Sequence, residues 1–180
     1  MITSIIFSKD RALQLDLTLN TIAKNFDLCN DVIVIYKTSD KKYEESYENL
    51  KKEHPNVSFY EQSHSLFLDI LAIISTSTSE YVCFFTDDNI VYNRVDIDKD
   101  QLNALFNLID PSGEPVGCAS LSLRLGLNTS KRDMGNGFVN DAIPNLFSFS
   151  SLVVWGFTGV PPGGYWSYPL SVDGHVFKTQ

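Results

Sequence analysis

Glycine is missing from the first 112 residues; all ten glycines lie between Gly113 and Gly174. A phosphate-cradling loop or a GxGxxG dinucleotide turn needs glycine where the backbone closes on phosphate, so neither can be built in that half. A nucleotide bound there must be held by side chains and a cation. Cysteine is nearly as scarce. Cys29, Cys83 and Cys118 are far apart, odd in number and without a CxxC pair, which argues against a disulfide framework or a zinc site and for a reducing compartment. No apolar run approaches the length that crosses a bilayer, and the apolar N-terminal stretch is too short for a signal-peptide core. The expectation is a cytoplasmic protein without a transmembrane segment, at most peripheral at a membrane surface. Positive charge is also short, 14 Lys and Arg against 22 Asp and Glu, for a net charge of −8. That balance argues against nucleic acid as a partner, and it suits a divalent-cation site as well as plain solubility.

What is present is an ordinary globular composition, 43% apolar and 20% charged over 180 residues, which fits one domain with a sizeable core. Residues 1–7 read as a buried strand, broken by the polar residues 8–11. A helix follows, with Leu15, Leu19, Ile22 and Phe26 on one stripe and Ser8 or Asp10 as its cap. Residues 32–36 form a second buried strand, broken at 37–40. Residues 41–53 form an amphipathic helix with Tyr43, Tyr47 and Leu50 on its stripe, stopped at His54 and Pro55. Residues 57–60 make a third strand. Leu66, Ile70, Ile73 and Ile74 mark a third helix, and residues 81–85 a fourth strand.

Strands alternating with helices in this way predict an α/β fold with a parallel, Rossmann-like sheet flanked by helices. In such sheets ligands bind at the carboxyl ends of the strands, where the breaks 8–11, 37–40 and 86–89 should converge. Asp98 and Gln101 then form a capping box for a helix with Leu102, Leu105, Phe106 and Ile109 on its stripe, ended by Pro111. Residues 116–123 are strand-like. Beyond them the chain is rich in Gly, Pro and aromatics, with strand-like alternation at Phe147 and Phe149, and it predicts a mixed, largely antiparallel β half. Residues 1–180 are thus expected to form a single domain with halves at 1–112 and 113–180.

The strongest chemical signal is Asp87 beside Asp88 at the end of the fourth strand, although Asp and Asn also make ordinary turns. Two carboxylates there suit Mg²⁺ or Mn²⁺, which take oxygen ligands and complete their shell with substrate phosphates. Asp173 and His175 flank Gly174, so one could serve as general base and the other as metal ligand; an Asp-Gly turn is the alternative. Arg11 and Lys37 stand at strand ends as phosphate clamps or as solvated cations. Arg124, alone in an apolar run, needs a partner or a ligand. Trp155, Tyr165, Trp166 and Tyr168 could stack on a sugar or belong to the core.

A glycine-free parallel half ending in Phe84-Phe85-Thr86-Asp87-Asp88-Asn89, followed by a mixed β half, resembles GT-A fold glycosyltransferases, and most the inverting family 2-like enzymes. Thr86-Asp87-Asp88-Asn89 looks like the DxD-type motif of that family in its Asp-Asp form. The resemblance implies a nucleotide-diphosphate sugar donor, a UDP-sugar favoured, and a carbohydrate or lipid-linked acceptor, with Mn²⁺ or Mg²⁺ as cofactor. Residues 1–112 would be the donor half and residues 113–180 the acceptor half. It implies donor contacts for Ser8, Arg11, Lys37, Asp40, Thr86 and Asp87. Metal ligation falls to Asp87, Asp88 and His175, the catalytic base to Asp173, and acceptor contacts to Arg124 and Trp166. Two features depart from the family pattern. Lys37 stands where an acidic residue usually follows the second strand, and Asp173 is followed by Gly-His with the chain stopping soon after, as in a minimal or truncated transferase. Two rival readings remain: a non-catalytic sugar- or partner-binding domain, and a sugar-phosphate nucleotidyltransferase, which would normally carry a glycine-rich basic loop after the first strand.

Overall fold

Strand and helix alternate through the first half as the hydrophobic periodicity predicts. A computed structural model describes residues 1–180 apart from Pro111, Asn128, Thr158, Gly159, Pro161, Pro169 and Gln180. In it β1 (Ile2–Lys9), α1 (Ala12–Asn25), β2 (Cys29–Lys37), α2 (Lys41–Glu53), β3 (Ser58–Glu61), α3 (Leu66–Thr76) and β4 (Tyr81–Thr86) follow one another. The second half contributes α4 (Lys99–Phe106), β5 (Leu121–Ser122), β6 (Lys131–Asp133), β7 (Phe138–Asn140), β8 (Phe147–Phe149), β9 (Leu152–Val154) and β10 (His175–Lys178). The main sheet has six strands in the order β3-β2-β1-β4-β10-β5. Its first four strands run parallel, and β10 runs antiparallel between β4 and β5. The fold is therefore the expected α/β class, a mainly parallel sheet flanked by helices. The pairs β6–β7 and β8–β9 form separate two-stranded sheets.

Alternation along the strands divides the core in two. On one face Ile2, Ile6, Val34, Tyr81, Cys83 and Phe85 pack against the stripe of α1 (Leu15, Leu19, Ile22), against Tyr47 and Leu50 of α2, and against Leu102 of α4. On the other, Ile5, Ile35 and Val82 pack under Ile70, Ile73 and Ile74 of α3. The centre of β1 is buried from both sides, which is why its sequence is a near-continuous apolar run rather than an alternating one.

Several local expectations are corrected. Strand β1 continues to Lys9, so Ser8 and Lys9 lie inside it. Neither Ser8 nor Asp10 caps α1; its N-cap position is Arg11, without a side-chain cap, because Ser8 and Asp10 bond elsewhere. Ile109 is 64% exposed because α4 ends at Phe106, and Pro111, expected to stop that helix, lies outside the described residues. Of residues 116–123 only Leu121 and Ser122 pair in a strand. The capping box of Asp98 and Gln101 forms as expected.

This packing assigns different weights to neighbouring apolar residues of α1. Ile22→Ala, at a position 1% exposed, should cost about 2–5 kcal/mol in chemical denaturation. Leu13→Ala, at a position 81% exposed, should stay within about 0.5 kcal/mol of the wild type. Equal losses at the two positions would contradict the placement of the helix.

Candidate active site

The register of the parallel strands brings the polar breaks together, pairing Phe7 with Thr86 and Lys9 with Lys37. Just past β1, Asp10 turns the chain with φ of 58°, a left-handed conformation that Asp tolerates better than most residues. The turn is held by its environment. The Asp10 amide donates to the Lys37 carbonyl at 3.2 Å, and its carboxylate accepts from the Ser39 amide at 2.7 Å and the Ser39 hydroxyl at 2.5 Å. These bonds tie the exit of β1 to the exit of β2 and set the start of α1, where Arg11 stands.

Asp87 is 5% exposed, and a buried carboxylate is tolerable only if donors surround it. Its Oδ2 accepts from the Ser8 hydroxyl at 2.9 Å and the Lys9 amide at 3.2 Å, and its Oδ1 accepts from Arg11 Nη1 at 3.4 Å. The Thr18 hydroxyl holds its backbone carbonyl at 2.9 Å. Ser8 also lies 2.5 Å from the Tyr47 hydroxyl. A serine has one proton to give, and it goes to Asp87, so Tyr47 must be the donor to Ser8. The Tyr47 oxygen in turn accepts from the Arg11 amide at 3.3 Å. A directed chain thus runs from Tyr47 through Ser8 to Asp87. Burial pushes the Tyr47 pKa up, which keeps that hydroxyl protonated, and its ring stacks on Tyr36 at 4.7 Å.

Asp88 faces the other way, with 57% of its side chain exposed. Its Oδ1 accepts from the Thr86 hydroxyl at 2.8 Å and its Oδ2 from Arg11 Nη1 at 3.0 Å. The Thr86 hydroxyl first, and then Arg11, hold its carboxyl below the usual range. Asn89 accepts from the Thr86 amide at 2.9 Å, so it shapes the turn and does not orient a carboxylate. One nitrogen of Arg11 therefore touches both carboxylates, and they push its pKa further up.

Two clefts meet at Asp88. The first, of about 330 Å³, is lined by Phe7, Ser8, Arg11, Gln62, Leu66 and Thr86 among others. The second, of about 360 Å³, runs past Ile90, Tyr92, Leu123, Arg124 and Asp173. Asp88 lines both. Arg124, alone in an apolar run of sequence but exposed in the fold, has a partner: Nη1 donates to Asp173 Oδ2 at 2.8 Å, and the guanidinium lies 4.9 Å from the Tyr165 ring centre.

Ser8, Arg11, Thr86, Asp87 and Asp88 thus assemble as one group, and Arg124 and Asp173 as a second across the larger cleft. Four other expected site residues lie elsewhere. Asp40 spends its carboxylate capping α2, accepting from the Lys42 and Tyr43 amides at 2.9 and 3.3 Å. Lys37 is exposed and lines neither cleft. Trp166 is fully buried, its indole nitrogen donating to the Thr129 carbonyl at 2.9 Å, so it is a core residue. His175 pairs with Phe84 in the ladder and therefore shares the sheet face of Phe84, opposite to that of Asp87. It is 2% exposed, and neither ring nitrogen has a hydrogen-bond partner among the described residues; burial pulls its pKa below the ordinary value. Among the described residues no three His, Cys, Asp or Glu side chains gather as a metal site, so the expected set Asp87, Asp88 and His175 does not form. The sequence reading missed Asp10 as the tie between strands, Tyr47 as the end of the relay, and Gln62. Asp10 and Tyr47 left traces, the first as a candidate helix cap and the second on an apolar helix stripe, while Gln62 left none.

The chemistry of the donors nevertheless fits a hard divalent cation at Asp88. Every side-chain acceptor at that edge is an oxygen, and an exposed carboxylate beside open clefts leaves room for water and phosphate oxygens to complete a shell. Asp87 offers only its Oδ1 to such an ion, since its Oδ2 is held by the Ser8 hydroxyl and the Lys9 amide.

No family model matches the chain. The bifunctional glycosyltransferase pgtA of Dictyostelium discoideum is 35% identical to it over 101 residues. The match covers 52% of this chain and 13% of that protein, so the chain spans a small part of the relative's length. Two solved structures overlap it partially. The mannosyltransferase PcManGT of Pyrobaculum calidifontis, in complex with GDP-Man and Mn²⁺, gives a TM-score of 0.43 at 18% identity, covering 67% of this chain and 34% of that one. The 4-diphosphocytidyl-2C-methyl-D-erythritol synthase of Anaerococcus prevotii gives 0.42 at 16%, covering 64% and 62%. Among the described residues no helix is long and apolar enough to cross a membrane.

The hydrogen-bond chain predicts two stability effects. Tyr47→Phe removes the donor to Ser8 and the acceptor of the Arg11 amide, and should cost about 1–3 kcal/mol in urea denaturation. Asp88 has its folded pKa lowered, so its contribution is fully present above its unfolded pKa of about 4 and is lost as pH falls through the folded value. Asp88→Asn should therefore flatten the acid limb of stability below about pH 4. An unchanged slope would contradict the ion pair.

Proposed function

We propose that the protein transfers a glycosyl group from a nucleotide-diphosphate sugar, a UDP-sugar favoured, to an acceptor hydroxyl with inversion. The observation that carries this reading is Asp88, exposed where two clefts meet, with Arg11 beside it and Asp173 on the wall of the larger cleft. The partial identity to a Dictyostelium glycosyltransferase points to the same class of chemistry. The donor half would be residues 1–112 and the acceptor half residues 113–180, within one domain; β10 supports this by continuing the sheet of the first half.

In this reading the nucleoside lies in the smaller cleft, against Ser8, Thr86 and Gln62, and the diphosphate reaches the edge at Arg11 and Asp88. The sugar extends into the larger cleft. There Asp173, held in place by Arg124, removes the proton of the acceptor hydroxyl. The acceptor oxygen forms a bond to the anomeric carbon as the bond from that carbon to the diphosphate oxygen breaks, and the electron pair leaves with the nucleotide diphosphate. Arg11 offers a guanidinium to the charge that builds on the leaving group. Bound at Asp88, Mn²⁺ or Mg²⁺ would add Lewis-acid neutralisation of the same charge. The acceptor would be a carbohydrate or a lipid-linked sugar.

One observation favours a rival. The Asp173 carboxylate is already engaged by Arg124 and by the Ser171 hydroxyl, as it would be in a domain that binds sugar without turning it over. Calorimetry with UDP and GDP, with and without Mn²⁺, together with donor hydrolysis, separates the two. Metal-dependent binding should be present in the wild type and lost in Asp88→Ala. Asp173→Asn should bind nucleotide normally and turn over about 10²–10⁴-fold more slowly. Binding without any turnover would support the rival, and Asp88→Ala binding as well as wild type would overturn the site.

A further inference from the structure

The acidic edge already carries a cation of its own. Nη1 of Arg11 lies 3.0 Å from Asp88 and 3.4 Å from Asp87, bridging the two carboxylates from a side chain that is half exposed. A divalent ion sharing those oxygens would have to stand where the guanidinium stands, and two cations at that separation repel strongly in a partly desolvated site. Asp87 cannot swing away to make room, because Ser8, the Lys9 amide and the Thr18 hydroxyl fix it. Arg11 can. Only its guanidinium would have to leave, since its backbone amide is what the Tyr47 hydroxyl holds.

We infer that Arg11 is a built-in counter-ion that holds the cation position between Asp87 and Asp88 when no ligand is bound, and that it couples metal binding to diphosphate binding. Without a diphosphate, a divalent ion must displace Arg11 into water and lose the ion pair. With a diphosphate in the smaller cleft, the displaced guanidinium gains a phosphate partner that it can hold with two parallel bonds. Each ligand therefore favours the other, and by linkage the coupling is equal in both directions. This inference rests on the reading that the site takes a nucleotide diphosphate and a metal, and it assigns Arg11 the task of making neither bind well alone. Arg11 meets the diphosphate directly in this reading, and the coupling is read in binding.

The test is Mn²⁺ binding, read from the free-ion electron paramagnetic resonance signal. Wild type, Arg11→Gln and the double variant Arg11→Gln with Asp88→Asn are each titrated with Mn²⁺ alone, and the first two also at saturating UDP. Mn²⁺ alone should bind Arg11→Gln at least about tenfold more tightly than wild type, and the double variant should lose that gain. UDP should tighten Mn²⁺ binding by about tenfold or more in wild type and by much less in Arg11→Gln. A melting curve provides a second readout. Arg11→Gln leaves two carboxylates facing each other, so Mn²⁺ should raise its melting temperature more than it raises that of wild type. Equal or weaker binding of Mn²⁺ alone by Arg11→Gln, or an unchanged effect of UDP, overturns the inference while leaving the proposed function standing. Failure of wild type to bind Mn²⁺ even with UDP overturns both.

Discussion

Burying one carboxylate constrains the whole of this edge. Asp87 sits at the end of β4, almost without solvent, and the energetic cost of an unpaired charge there is large enough that the surrounding chain must supply donors. It does so from the last residues of β1 and from Arg11 at the start of α1, while Thr18 holds the backbone carbonyl of the same residue. Tyr47 extends the arrangement to α2 by orienting Ser8. The exits of β1 and β4, the start of α1 and the middle of α2 are thus referred to one side chain. Asp10 and Ser39 do the same for the exit of β2.

Two adjacent residues of like chemistry therefore have different duties, because the turn that follows β4 sends one carboxylate into the protein and the other to its surface. Asp87 looks inward and fixes geometry. Asp88 looks outward and is left facing two clefts, with one hydroxyl and one guanidinium beside it. Rigidity in the first is what allows precision in the second, since a group that must meet a ligand is best placed on a rigid element. Across the larger cleft, Asp173 stands two residues before β10. Because β10 pairs directly with β4, the loops that line that cleft are anchored on one continuous sheet.

Much of the fold was legible in the sequence. The strands and helices of the first half follow from apolar periodicity, and their common edge follows from the parallel register that such alternation imposes. The Asp-Asp pair was legible too, since carboxylates directly after an apolar strand are conspicuous. The second half was not. Its strands are two to four residues long, too short for periodicity to show, and the antiparallel insertion of β10 between β4 and β5 is a long-range pairing with no local signal. For the same reason His175 and Trp166 could not be assigned to the core in advance. Their residue types suggest chemistry, while their register and burial decide otherwise. The donor contact expected of Asp40 does not form, because the helix that begins beside it takes the carboxylate.

The central claim is that Asp88, at the junction of two clefts, is where the diphosphate of a nucleotide meets the protein. A crystal structure of the wild-type chain soaked with UDP and Mn²⁺ tests it most directly. The account predicts the nucleoside in the cleft of Ser8, Thr86 and Gln62, the diphosphate beside Asp88, and Asp87 unmoved in its hydrogen-bond set. A nucleotide bound elsewhere, or bound in that cleft with Asp88 making no contact to phosphate or metal, would contradict it.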